Sequence, residues 1–192
     1  MTSRVTLISP AVSRSLREAR FDDGCPLDET GAARARSAGG TLRPPDRALF
    51  SPTVRCDETA SALGLDAAPV PELAGLRVGR WRGRTLDEVS ANEPEAIAVW
   101  MTDPASAPHG GESVRELCDR VTAWLETAAH AAGRTVAVVE PEIVRAVGVR
   151  VLGAPESAFW RIDVPPLTAT TVSGRSGRWN LTVGQPLGRL EP

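Results

Sequence analysis

Lysine and tyrosine are absent from this chain, and histidine occurs only twice, at His109 and His130. Without tyrosine, no phenol can serve as a catalytic acid. The three cysteines (Cys25, Cys56, Cys118) are far apart and none lies in a Cys-x-x-Cys, so neither a zinc site nor a disulfide framework is indicated. No metal or cofactor is expected, and a reducing cytoplasm is the expected compartment. No apolar signal segment opens the chain and no apolar run is long enough to span a bilayer, so no membrane partner is expected. Positive charge is not in excess either. The 22 basic residues, all arginine and scattered along the chain, face 24 acidic ones for a net charge of −2. That excludes a dedicated nucleic-acid surface. Arginine without lysine, together with abundant Ala, Gly and Pro, has the look of a GC-rich, actinobacterial-type genome.

What is present is an ordinary globular composition. The chain has 192 residues, 42% hydrophobic and 24% charged, enough for one domain with a sizeable core. A single domain is expected over residues 1–184, with "QPLGRLEP" (185–192) as a loose tail. Oligomeric state is left open.

Short apolar runs at residues 5–8, 48–51 and 135–139 read as buried strands, the last β-branched and continuous. Val70 starts a further short strand. Between them lie helical stretches. "PLDETGAARARSAGG" has Asp28 or Thr30 as its cap and Gly39-Gly40 as its stop, and "TVRCDETASALGL" follows residue 51. "ESVRELCDRVTAWLETAAHAAG" is a long amphipathic helix with Val114, Leu117, Val121, Trp124 and Leu125 as its stripe and Gly133 as its end. A helix over Pro141 to Leu152 comes next. The C-terminal texture alternates like two antiparallel strands joined around Gly174 to Gly177. Strand–helix alternation predicts a three-layer α/β/α sandwich with a mostly parallel sheet and an antiparallel C-terminal addition. The ligand crevice of such a sheet lies beyond the C-terminal strand ends. Three junctions compete for that edge: Ser9-Pro10, Ser51-Pro52 up to Arg55, and Glu140-Pro141-Glu142.

The motifs at these junctions resemble the histidine phosphatase (phosphoglycerate mutase-like) superfamily over nearly the whole chain. "ARFDDGCPLDETG" is similar to the family's segment after its first strand. "SPTVRCDETA" matches Ser-Pro-x-x-Arg-x-x-x-Thr-Ala position for position. "GRWRG" resembles Gly-x-Trp-x-Gly, "PHGGES" the Gly-Glu-Ser loop, and "VAVVEPEIVRAVGVRVLGAP" the last strand, turn and helix. The resemblance implies a phosphohistidine mechanism in which a first-strand His attacks phosphorus while an Arg and a second His bind the phosphate. In this chain the Arg-His pair falls on Ser9 and Pro10. The second His falls on Glu140, or on Pro141 with a one-residue shift. Proline offers no nucleophile, and carboxylates at a helix start repel a dianion.

Two readings follow. The first is a repurposed enzyme doing cofactor-independent acid–base chemistry, such as dehydration, isomerisation, cyclisation or hydrolysis. Its substrate would be a small organic molecule of bacterial specialised metabolism with an anionic or carbonyl oxygen. Glu140, His109 and Glu112 are then the catalytic candidates, and Arg55, Ser9, Ser13 and Glu142 the substrate-binding ones. The second is a catalytically dead pseudophosphatase that binds a metabolite or a protein. Convergence of Glu140, Arg55 and His109 on a deep pocket favours the first, and a crevice filled by side chains favours the second. Each candidate also has a plain structural explanation: helix-end acids for Glu140, Glu142 and Glu112, a solvated loop side chain for His109, a salt bridge to Asp28 or a neighbouring acid for Arg55, turn hydrogen bonds for the serines.

Overall fold

Nearly continuous apolar runs on the central strands dictate two buried sheet faces, and helices cover both. The structure is a computed structural model that describes residues 3–40, 42–131, 133–175 and 177–187. In chain order its elements are β1 (Ser3–Ile8), α1 (Arg14–Arg17), α2 (Glu29–Gly39), β2 (Arg47–Phe50), α3 (Val54–Ala62), β3 (Ala68–Pro69), α4 (Leu86–Asn92), α5 (Pro94–Thr102), α6 (Val114–His130), β4 (Gly133–Val138), α7 (Pro141–Leu152), β5 (Thr168–Arg175) and β6 (Arg178–Pro186). Short 3-10 turns occupy Pro71–Leu73, Gly79–Trp81 and Glu156–Arg161.

The strands form one six-stranded sheet in the order β3-β2-β4-β1-β5-β6. β1, β2, β3 and β4 pair in parallel, and β5 and β6 add on antiparallel beside β1. Val5 and Leu7 of β1, with Ala137 and the following Val139, pack against α6 and α7. Ile8, Val136 and Val138 point the other way, against Ala38 of α2, Cys56 and Ala60 of α3, and Leu63 just after it. This is the expected three-layer sandwich. The α6 stripe is buried as its periodicity requires.

Details differ from expectation at the ends. α6 stops at His130, and Gly133, at φ +105°, opens β4 instead of closing the helix. β6 runs through Pro186, so the expected tail cannot begin at 185, and residues 188–192 lie outside those described. A third cluster stands beside the sandwich. Trp81 and Trp100 meet edge-on at 5.4 Å between ring centres, with Phe21 5.7 Å from each and Val89 buried beside them. Among the described residues no helix is long and apolar enough to cross a membrane.

Candidate functional site

Parallel register brings three strand ends to one level. Ile8 and Phe50 both sit opposite Val138. Beyond them the Val139 N–H donates to the Ile8 carbonyl and the Ser51 N–H to the Val138 carbonyl, each at 2.8 Å. The crevice edge is therefore built from residues 9, 51 and 140, as the junction motifs required.

At the first junction the hydroxyls turn inward. Ser9 is fully buried. Its Oγ donates to the Pro165 carbonyl at 2.5 Å and accepts from the Thr168 N–H at 3.1 Å. Ser13 caps α1, accepting from the Leu16 N–H at 3.4 Å. Both were candidates for ligand binding. Instead both satisfy nearby backbone, because a buried hydroxyl and a buried peptide group each need a partner.

The other two junctions meet each other. Thr53 caps α3 through the Cys56 N–H, and its own hydroxyl donates to Glu140 Oε1 at 2.7 Å. Arg55, in the first turn of α3, grips the same carboxylate with two bonds, Nε to Oε1 at 2.9 Å and a shorter Nη2 to Oε2. The salt bridge weighed for Arg55 thus goes to Glu140, while Asp28 pairs with Arg17 at 2.7 Å. Glu140 precedes α7 without capping it; its N–H donates to Ser51 Oγ at 3.3 Å. Its side chain is 1% exposed and that of Arg55 11%. Burial works against the guanidinium charge, but the Glu140 carboxylate outweighs burial and holds it firmly protonated. Cys56 Sγ lies 3.6 Å from Glu140 Oε1. Burial, then the Glu140 charge, pushes this thiol well above its ordinary range, which removes it as a nucleophile.

Two further carboxylates crowd this pair. Glu142 accepts the Leu76 N–H at 3.0 Å, and burial, then Glu140, raises its pKa. Asp22, on the loop after α1, is raised by burial, an effect that Arg55 partly offsets. A short cover lies directly on the pair. A Cβ placed on Gly75 would sit 2.8 Å from Glu142 Oε1 and 3.1 Å from Glu140 Cγ, so the Pro71–Leu76 backbone runs directly against both carboxylate side chains. Arg120 holds that cover, donating to the Glu72 carbonyl at 2.6 Å and the Ala74 carbonyl at 2.9 Å.

Glu112 and His109 do not join the crevice. Glu112 is 2% exposed and takes two bonds from Arg120, at 2.8 and 2.9 Å, with Arg77 at 3.6 Å. His109 is buried, its ring 4.9 Å from Trp81 and 6.1 Å from Trp100, and its Nδ1 accepts from the Gly111 N–H. Both were catalytic candidates; each is committed to packing instead, because the loop before α6 folds back onto the Gly79–Trp81 turn. His130 bonds the Glu126 carbonyl at the exposed end of α6, on the side where β4 begins. Neither histidine is therefore at the strand ends.

Thr53, Asp22 and Arg120 were not singled out from sequence. Thr53 was legible as a cap after "SP"; Arg120, in the second turn of α6, reaches back to Glu112, which precedes the helix, and no helical spacing marks that pair. Among the described residues no cluster of His, Cys, Asp or Glu is fit to hold a metal ion. A cavity of about 1500 Å³ lies elsewhere, as an open groove between α2 and α3 that Leu167 and Leu187 also line.

A profile of the "Histidine phosphatase superfamily (branch 1)" matches residues 14–184. The chain belongs to the histidine phosphatase superfamily. The match begins just after the Ser9–Ser13 turn. A glucosyl-3-phosphoglycerate phosphatase of Mycolicibacterium vanbaalenii is 33% identical over 144 residues, covering 67% of this chain but only 64% of the relative's length. An adenosylcobalamin/alpha-ribazole phosphatase of Salmonella typhimurium is 28% identical over 148 residues, covering 72% of this chain and 73% of the relative. Among solved structures, mycobacterial glucosyl-3-phosphoglycerate phosphatase in complex with VO3 superposes with a TM-score of 0.84 at 24% identity, covering 95% of this chain and 98% of that one. A structure described as mycobacterial hydrolase 1 gives 0.85 at 23% identity, covering 98% and 100%.

The crowded carboxylates set a pH dependence. A carboxylate whose folded pKa is raised contributes stability that is complete below its unfolded value, roughly pH 4, and is lost as pH rises through the folded value. Glu142→Gln keeps an acceptor for the Leu76 N–H and removes the charge. The variant should be more stable than wild type at pH 8, and the difference should vanish below about pH 4. Urea titrations at the two pH values check this; a variant less stable at pH 8 contradicts it.

Proposed function

We propose that this superfamily member does not turn over phosphate esters and acts as a binding module for a metabolite or a protein, the pseudophosphatase of the two sequence readings. One observation carries the proposal: the Glu140 carboxylate is clamped on Arg55 and Thr53 where the three strand ends meet. A guanidinium held in this way has its charge matched and its Nε/Nη2 edge already taken before any oxyanion arrives. The surrounding Glu142 and Asp22 add negative charge against a phosphate dianion. The absence of an imidazole from Ser9, Pro10 and Glu140 points the same way, since phosphohistidine chemistry needs one. The repurposed acid–base enzyme gains no support from this geometry, because Glu140 is saturated and His109 and Glu112 are engaged elsewhere.

The names of the relatives define the substrates to try. An aryl phosphate, glucosyl-3-phosphoglycerate and alpha-ribazole phosphate should each release no phosphate above buffer between pH 5 and 9. Turnover by the wild-type protein that disappears in Arg55→Lys, which keeps the charge but loses the bidentate fork, would overturn the proposal. Its binding half predicts a ligand that raises the melting temperature and is recovered unchanged. A compound that stabilises the protein and is consumed by it points back to an enzyme.

A further inference from the structure

His109 is under a constraint that its packing alone does not explain. Its Nδ1 accepts the Gly111 N–H at 3.0 Å, so the neutral ring carries its proton on Nε2. That Nε2 is buried with no hydrogen-bond partner. A second proton would have to sit on Nδ1, facing the Gly111 N–H donor to donor. Gly111 is packed tightly against the Arg77 backbone. A Cβ on it would lie 1.8 Å from the Arg77 carbonyl oxygen, and the next N–H, that of Glu112, donates to this same oxygen at 2.7 Å. Displacing Gly111 therefore moves Glu112. Glu112 holds Arg120, Arg120 holds the Glu72 and Ala74 carbonyls, and Gly75 beside them rests on Glu140 and Glu142.

We propose that His109 is a proton-operated catch: its protonation releases the loop from Pro108 to Glu112 and, through Glu112 and Arg120, loosens the Pro71–Leu76 cover over the Arg55–Glu140 pair. The inference rests on the reading of that crevice as closed and names what would open it. The groups facing the ring are few. The Gly79–Trp81 turn presents Arg80, bound to Glu93 and to the Pro108 carbonyl. α5 presents neutral Trp100, and the loop itself presents Glu112, already paired. Burial first and Arg80 second lower the imidazole pKa from its ordinary value. The open loop then binds more protons than the closed one. Closure is complete above about pH 6.5 and weakens about tenfold per pH unit below it, down to the folded-state value.

The test is amide hydrogen exchange by NMR on wild type and His109→Asn, whose Oδ1 can replace Nδ1 as acceptor but cannot titrate. At pH 7.5 the two proteins should protect Gly111, Ala74 and Leu76 alike. At pH 5.5 the wild type should lose protection at all three relative to the variant at the same pH, by up to about tenfold. Equal protection at both pH values overturns the proposal, as does a loss confined to Gly111. Should the variant not fold, ring nitrogen shifts of the wild type decide: titration of the ring in step with the Ala74 and Leu76 amides supports the catch, and titration without them refutes it. The readout uses no substrate, so phosphate turnover would sink the functional proposal without touching this one.

Discussion

Arg55→Ala should lower the unfolding free energy by about 3–5 kcal/mol, among the largest losses open to a single polar side chain here. The Glu140 carboxylate is 1% exposed and takes its charge-assisted bonds from this one guanidinium. With Arg55 gone, an anion stays buried with only the Thr53 hydroxyl and the Cys56 thiol at hand, and Glu142 and Asp22 remain to repel it. The loss should be strongly non-additive. Replacing both partners by apolar residues, as in Arg55→Met with Glu140→Leu, removes the stranded charge and should recover most of the stability. Chemical denaturation of the single and double variants measures this directly. A cost below about 1 kcal/mol for Arg55→Ala would be that of an exposed ion pair, and the picture of a crevice clamped shut would fall with it.

Trp81→Ala should cost a comparable amount, about 3–5 kcal/mol, against a total stability of about 5–15 kcal/mol for a domain of this kind. Trp81 is fully buried and packs edge-on against both Trp100 and His109, with Phe21 tilted against it. Its removal opens a cavity that rigid aromatic neighbours cannot collapse into, and it forfeits the ring–ring contacts as well. The damage should be local to the flank. Near-ultraviolet circular dichroism should lose intensity while the far-ultraviolet spectrum, dominated by the sandwich, stays close to wild type. Trp81→Phe should recover part of the loss. A Trp81→Ala variant of nearly wild-type stability would mean that this flank contributes little to the folded state.

The sandwich was legible because its signals are local and redundant. "TVAVV" can only be a buried strand at that length, Val114, Leu117, Val121, Trp124 and Leu125 recur at helical spacing, and Pro141 begins α7 where a proline is best tolerated. Register follows from the same pattern, since a one-residue slip would turn Val136 and Val138 out of the α2/α3 core. The junction motifs then placed residues 9, 51 and 140 at one edge. The directions of the side chains at that edge were not legible. Ser9 and Glu140 each had a choice of partners, and no periodicity says which one is nearer.

By itself, then, the sequence determined the layers and the common edge at which residues 9, 51 and 140 meet, because these rest on apolar periodicity and on the junction motifs. Only the tertiary structure decided that Glu140 goes to Arg55, Glu112 to Arg120 and His109 to Trp81 and Gly111. Those pairings join residues 85, 8 and 28 positions apart at one extreme and two at the other. The physical reason is that a buried charge or hydrogen-bonding group takes whatever complementary group the packed backbone brings within about 3 Å, and that distance is a property of the packed helices and loops, not of spacing along the chain.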